Sequence, residues 1–166
     1  AVGTVQDITE RKLADLDLRQ SEKRFSTAFS SSPVSASIAT AADGRFLEAN
    51  DNFERDFGWA KTELIGRTTL EVGIWPDAAT RQVWAEAIRS TGRVVDYETT
   101  WLHKNGEQRR VSISGEIIEI DGQACILAYT TDITARKLAE EQIRNLAFFD
   151  PLTKLPNRRL LSDRLE

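Results

Sequence analysis

The 166-residue chain predicts an α+β domain, a five-stranded antiparallel sheet with short helices on one face and a longer helix on either side of it in the sequence. Three observations predict it. Three β-patterned stretches follow one another with only tight turns between them, Lys104-Asn105-Gly106-Glu107 and Asp121-Gly122, and strands joined this way run antiparallel. Two shorter β-patterned stretches meet at Ala42-Asp43-Gly44-Arg45, and only short helical patterns separate them from the other three. The octet Asp-Ile-Thr-Glu-Arg-Lys-Leu-Ala at 7–14 recurs at 132–139 with seven of eight residues identical. The 125-residue offset suits the length of one small domain.

Residues 7–30 carry a helical pattern, with Leu13 and Leu16 three apart and Phe25 and Phe29 four apart, and Thr9 reads as its N-cap. Ser30-Ser31-Ser32-Pro33 breaks it. Val34–Thr40 and Phe46–Ala49 are strands around the Asp-Gly turn. Asn50 caps a helix bearing Phe53 and Phe57, Gly58-Trp59 closes it, and Lys61–Ile65 is one more helical turn ending at Gly66. Pro76 opens a helix over 76–90 whose apolar stripe is Val83, Trp84, Ala87 and Ile88. Strands follow at Val94–His103, Arg109–Ile120 and Gln123–Ile133. From Thr134 the pattern returns to helix, with Leu138, Ile143, Leu146 and Phe149, until Pro151; Leu155-Pro156-Asn157 begins another.

Composition narrows the function classes. A net charge of −4 argues against a nucleic-acid partner, which calls for a basic face. No stretch approaches the ~20 apolar residues of a membrane span, so no membrane contact by this segment is expected, and the single cysteine makes a reducing, cytoplasmic setting the natural reading. One cysteine, Cys125, and one histidine, His103, exclude an internal disulfide and a Cys/His zinc site; no metal is expected.

Several strings, taken in order, carry a family resemblance: Asn50-Asp51-Asn52-Phe53, Gly58-Trp59, Glu63-Leu64-Ile65-Gly66, Tyr97-Glu98, Lys104-Asn105-Gly106 and Asp132-Ile133-Thr134. Over about residues 22–134 the chain resembles a PAS domain with its C-terminal PAC motif. Gly3–Thr9 is similar to the last strand of a preceding PAS domain. Leu146 to Arg159, reading LAFFDPLTKLPNRR, resembles the opening segment of a diguanylate cyclase (GGDEF) domain. The implied organisation is 1–9, end of a preceding PAS domain; 10–30, connecting helix; 31–134, PAS domain; 135–148, linker helix; 149–166, start of a truncated GGDEF domain. The resemblance implies a bacterial, non-enzymatic sensory and dimerisation module that signals through its C-terminal helix to a cyclase making cyclic di-GMP. The alternatives are a passive spacer without ligand and an FAD-binding redox sensor.

Candidate ligand-pocket residues are Phe53, Phe57, Trp84, Ile88, Tyr97, Thr99, Trp101 and Ile113. The strand residues among them alternate toward one sheet face, a pattern that lines a cavity or simply fills a core. Val111 and Gly115 share the face of Ile113. An unknown small molecule, or none, is expected there. Covalent flavin is disfavoured because Cys125 falls in the last strand, where it reads as a buried small residue; haem is disfavoured because His103 sits beside an exposed turn. Trp75, extended before Pro76, is expected to cover the core edge. Glu98 and Lys104 read as a cross-sheet pair or as solvated charges.

The signal-junction candidates are Asp132, Ile133 and Thr134, with Asp7, Ile8 and Thr9 in the first copy; Asp132 or Thr134 is expected to cap the outgoing helix. Thr100, Leu102, Ile118 and Ile120 fall on the sheet's second face, so a homodimer through the N-terminal helix and this outer face is expected. Ala135, Ala139, Gln142, Leu146 and Phe149 have 4-3-4-3 spacing, compatible with a short coiled coil. The remaining partners are the flanking PAS and GGDEF domains in cis.

Overall fold

The computed structural model describes residues 3–149 and positions 153 and 155. The expected start of a GGDEF domain and the helix beginning at Leu155 therefore lie almost wholly outside the described residues. In order, the elements are α1 Gly3–Ser30, β1 Ser35–Thr40, β2 Phe46–Ala49, α2 Asp51–Phe57, α3 Lys61–Leu64, α4 Thr69–Val72, α5 Ala78–Thr91, β3 Arg93–Leu102, β4 Gln108–Ile120, β5 Gln123–Asp132 and α6 Thr134–Phe148. The strands form one antiparallel sheet in the order β2-β1-β5-β4-β3, which confirms the α+β expectation. The first and last strands of the chain's β-segments meet in the middle, where β1 pairs with β5 through six residues.

The main core lies between the inner sheet face and helices α2–α5. Phe46, Phe53, Phe57, Leu64, Ile74, Ile88, Val111 and Ile113 are almost wholly buried in it. Gly115 lets α5 approach β4 closely, since a Cβ there would lie 3.0 Å from both Ile88 and Trp84 side-chain atoms. A smaller cluster on the outer face joins Phe29, Ala36, Ile38 and Cys125, with Ile118, Ile120 and Leu127 against it. Cys125 is the buried, free, small residue expected.

Several expectations need correction. Gly3–Thr9 is helical, not a strand, and Thr9 lies inside α1 instead of capping it. A strand needs a neighbour to pair with, and among the described residues none offers an edge to this segment, whereas a helix satisfies its backbone internally. The α5 cap is Asp77, whose carboxylate accepts the Thr80 N–H at 2.6 Å, and Pro76 precedes it. Val83 is exposed, and Ala85 takes its place on the buried stripe. Helix α4 has no counterpart in the sequence reading because four residues show no periodicity; its signature is the Thr68/Glu71 capping box. The register of β3 shifts between Val94 and Tyr97, where Asp96 has a φ of 51°, so Val94 and Tyr97 both pack on the inner face although three residues apart.

Candidate functional site

Two sites take shape, a cavity inside the domain and the joint from which α6 leaves. They share one strand.

The cavity, about 50 Å³, lies beneath α5 on the inner sheet face. Of the eight pocket candidates, Trp84, Trp101 and Ile113 line it. Phe53, Phe57 and Ile88 are fully buried but do not; the two phenylalanines stand behind the cavity wall, with ring centroids 6.1 and 5.2 Å from Trp101. Tyr97 packs on Trp84 at 5.5 Å and Thr99 is buried in the sheet, neither on the lining. Trp75 lines the cavity and packs edge-on to Trp101 at 5.6 Å; it does not cover the core edge, because the turn before α5 folds its ring inward.

The lining holds residues that sequence reasoning missed, chiefly Phe46, Thr69, Ile126 and Arg81. Arg81 is the one that changes the chemistry. It stands three residues before Trp84, four before Ala85 and seven before Ile88, on their face of α5, so helical spacing alone could have found it. Its guanidinium rests against Gly44, where a Cβ would lie 2.7 Å from Nη2 and 3.1 Å from the Thr69 hydroxyl. Burial holds the guanidinium's pKa below its ordinary value; Arg89 adds to this and Asp43 opposes it. Asp43 is already engaged by the Thr40 hydroxyl at 2.5 Å and by Arg45 at 2.9 Å. The Thr69 hydroxyl and the Trp101 indole N–H are buried without a hydrogen-bond partner.

This cavity is smaller than the usual site for a ligand the size of an isoalloxazine ring. Sites for ligands of that size are clefts of ~300 Å³ or more. His103 is half-buried, not exposed: its ring lies over Gly58 and Nδ1 accepts the Asn105 N–H at 3.1 Å, which makes it part of the turn. Among the described residues no His, Cys, Asp and Glu side chains are grouped to hold a metal.

The joint is built from Asp132, Ile133 and Thr134 on the last residue of β5 and the first turn of α6. Asp132 Oδ1 accepts the Thr134 N–H at 2.8 Å, satisfying the first amide of the helix, and Oδ2 accepts from Arg109 at 3.2 Å. The Ile133 N–H donates to the Arg110 carbonyl at 2.8 Å. The Thr134 hydroxyl accepts the Arg110 N–H at 2.9 Å, so it ties the helix to β4 and does not cap it. The Ile133 side chain is buried. One turn on, Lys137 pairs with Glu98 of β3 at 2.6 Å and Arg136 with the same carboxylate at 3.5 Å. Hydrogen bonding from Lys137 is the main cause that holds the Glu98 carboxyl below its ordinary range; desolvation opposes it, and the charges of Lys137, Arg136 and Arg110 add to it. Glu98 and Lys104 are thus not partners; Lys104 pairs with Glu63 at 2.7 Å.

Asp7, Ile8 and Thr9, the matching triplet, lie within α1, and Ile8 is exposed. The far end of α1 is what attaches to the domain. Asn50, fully buried, donates to the Phe29 and Val34 carbonyls at 3.2 and 2.9 Å and accepts the Ala36 and Phe53 N–H groups at 2.9 and 3.1 Å. It caps α2, as expected, and also pins the end of α1 to β1. Leu13, Leu16 and Phe25 are exposed, so α1 leaves most of the outer face uncovered.

A family model described as "PAS domain" matches residues 33–135. The sensor protein TdiS of Thauera aromatica is 27% identical over 133 residues, 72% of this chain, and the chain spans only 23% of that protein's length. The PAS domain of an HTR-like protein from Haloarcula marismortui is 25% identical with a TM-score of 0.58, covering 74% of this chain and 99% of that one. An RNA-binding light-oxygen-voltage receptor, 21% identical, has a TM-score of 0.64 over 76% of this chain and 37% of that one, a likeness of fold. No helix among the described residues is long and apolar enough to cross a membrane. With the five-stranded sheet, the helices on its inner face and the closing Asp-Ile-Thr joint in place, this chain belongs to the PAS domain family, the sensory modules of signalling proteins.

Proposed function

We propose that the chain is a sensory and dimerisation module of a cytoplasmic signalling protein, passing the state of its cavity through α6 to a diguanylate cyclase domain that begins near residue 149. One observation carries this reading. Strand β4 supplies both the joint and the cavity region: Arg109 and Arg110 hold Asp132, Ile133 and Thr134, and Ile113, three residues further, lines the cavity. A ligand that favours one position of β4 over another therefore biases the angle of α6. The cyclase assignment is supported by the string from Leu146 to Arg159, and the homodimer by the exposed apolar residues of α1 and α6, Leu13, Leu16, Phe25, Leu138, Ile143 and Leu146. A passive spacer would share the joint but be indifferent to the cavity.

The test is helical phase. The chain is fused through α6 to a diguanylate cyclase domain, and one to seven residues are inserted after Glu140. Cyclic di-GMP formation is expected to fall with one to four inserted residues, which rotate the helix, and to recover at seven, which restore the heptad. Activity indifferent to insertion length overturns the signalling reading, and sedimentation showing a monomer at every concentration overturns the dimer.

A further inference from the structure

The cavity's chemistry narrows what it takes, granted that it is the sensory site. Its lining is apolar over most of its area, from Phe46, Trp75, Trp84, Ile113 and Ile126. The polar groups left without partners at its wall are donors or can donate. The Thr69 hydroxyl, on a lining residue, is buried and unsatisfied, although a buried donor without a partner costs about 1–3 kcal/mol. Among the described residues no hydrogen bond or ion pair engages the Arg81 guanidinium, and Asp43, the acid whose charge acts on it, is held by Thr40 and Arg45. A cation in this setting lacks an anion. An ionised carboxylate accepts hydrogen bonds and donates none, and it pairs with a guanidinium through two parallel bonds.

Size and polarity fix the rest. About 50 Å³ is room for a few heavy atoms, a water needing about 10–15 Å³ by the same measure. An inorganic oxyanion of that size would set charge against the aromatic wall, whereas a short alkyl tail fills it. We propose that the cavity beneath α5 binds a short-chain monocarboxylate, with its carboxylate on Arg81 and the Thr69 hydroxyl and its alkyl tail between Trp84, Trp101 and Ile113. Gly44 is the residue that permits this, since any side chain there would displace the guanidinium.

Trp75, Trp84 and Trp101 report on the cavity, so the full chain is titrated with sodium propionate by tryptophan fluorescence at constant ionic strength, with propionamide and 1-propanol in parallel. Saturable quenching or enhancement is expected with propionate, about tenfold weaker or worse with the two neutral isosteres. R81Q is expected to lose about tenfold in propionate affinity with its melting transition intact, and R81K to retain part of it. In the unmodified protein, NMR cross-relaxation is expected between the propionate methyl and the indole protons of Trp84 or Trp101, a measurement that survives if R81Q fails to fold. Equal binding of 1-propanol, unchanged affinity in R81Q, or saturation without cross-relaxation to either indole overturns the assignment. Propanol binding without propionate binding removes the carboxylate and leaves a sensory cavity; no binding of all three removes both. Loss of phase dependence in the fusion, with propionate still bound, removes the signalling reading and leaves the site.

Discussion

The octet at 7–14 and its copy at 132–139 have nearly one sequence and two structures. In the first, Asp7, Ile8 and Thr9 are turns of a continuous helix. In the second, the same three residues are the end of a strand, a joint and the start of a helix. The difference lies in what stands beside them. Arg109 and Arg110 of β4 offer the second copy a carbonyl, an amide and a guanidinium, and Ile133 a buried seat. The first copy, within the described residues, has no such strand at hand, and its isoleucine is 52% exposed against 5% for Ile133. A local sequence that tolerates both states takes the one its tertiary neighbours stabilise.

Four measurements test this contrast. The largest effect is expected from Ile133→Ala, which opens a gap under the joint. Urea unfolding should show a loss of about 2–4 kcal/mol; a loss below about 1 kcal/mol means that the joint does not rest on Ile133. Asp132→Ala removes the acceptor of the first α6 amide and the partner of Arg109, with an expected loss of about 1–2 kcal/mol in the same experiment. The coupling should vanish in a double-mutant cycle with Arg109→Ala if the ion pair adds nothing.

The third perturbation is acid. The Glu98 carboxyl is held below its ordinary value of 4.5, so its bonds to Lys137 and Arg136 contribute fully above that pH and are lost as pH falls through the lower folded value. Protection of the amides in the first turn of α6, measured against intrinsic exchange at the same pH, should therefore fall as the pH drops below 4.5, and Glu98→Gln should show that lower protection already at neutral pH. Protection that is indifferent to both shows that the latch is only a surface pair. The smallest effect belongs to the first copy: Ile8→Ala, measured at concentrations where the chain is monomeric, should shift stability by no more than about 0.5 kcal/mol. A loss comparable to that of Ile133→Ala would mean that the two copies are equivalent after all.

Much of the fold was legible because each β-element carried its own turn chemistry. Asp121-Gly122 takes positive φ at both residues, the hairpin geometry that Asp-Gly encodes. The cavity was legible only in part. Alternation identified Trp101 and Ile113 and helical spacing identified Trp84, yet alternation also nominated Thr99, which does not line the cavity. Phe53 and Phe57 failed as lining for another reason. They fill the volume that a larger pocket would need, and no periodicity distinguishes a side chain that borders a void from one that closes it. Arg81 was within reach of the spacing rule but is the residue type that the rule discards.

The order of the strands and longer helices from α1's C-terminal half onward, their turns, most of the sheet's inner and outer residues and the cap at Asn50 follow from the sequence, because these depend on neighbours within a few positions along the chain. The tertiary structure decided the rest. The pairing of β1 with β5 and the bulge at Asp96 are set by partners distant in sequence. So are the small, mostly apolar cavity beside Arg81 and the different fates of two near-identical octets. Local chemistry names the conformations a segment can take; the strand, void or charge brought beside it selects among them.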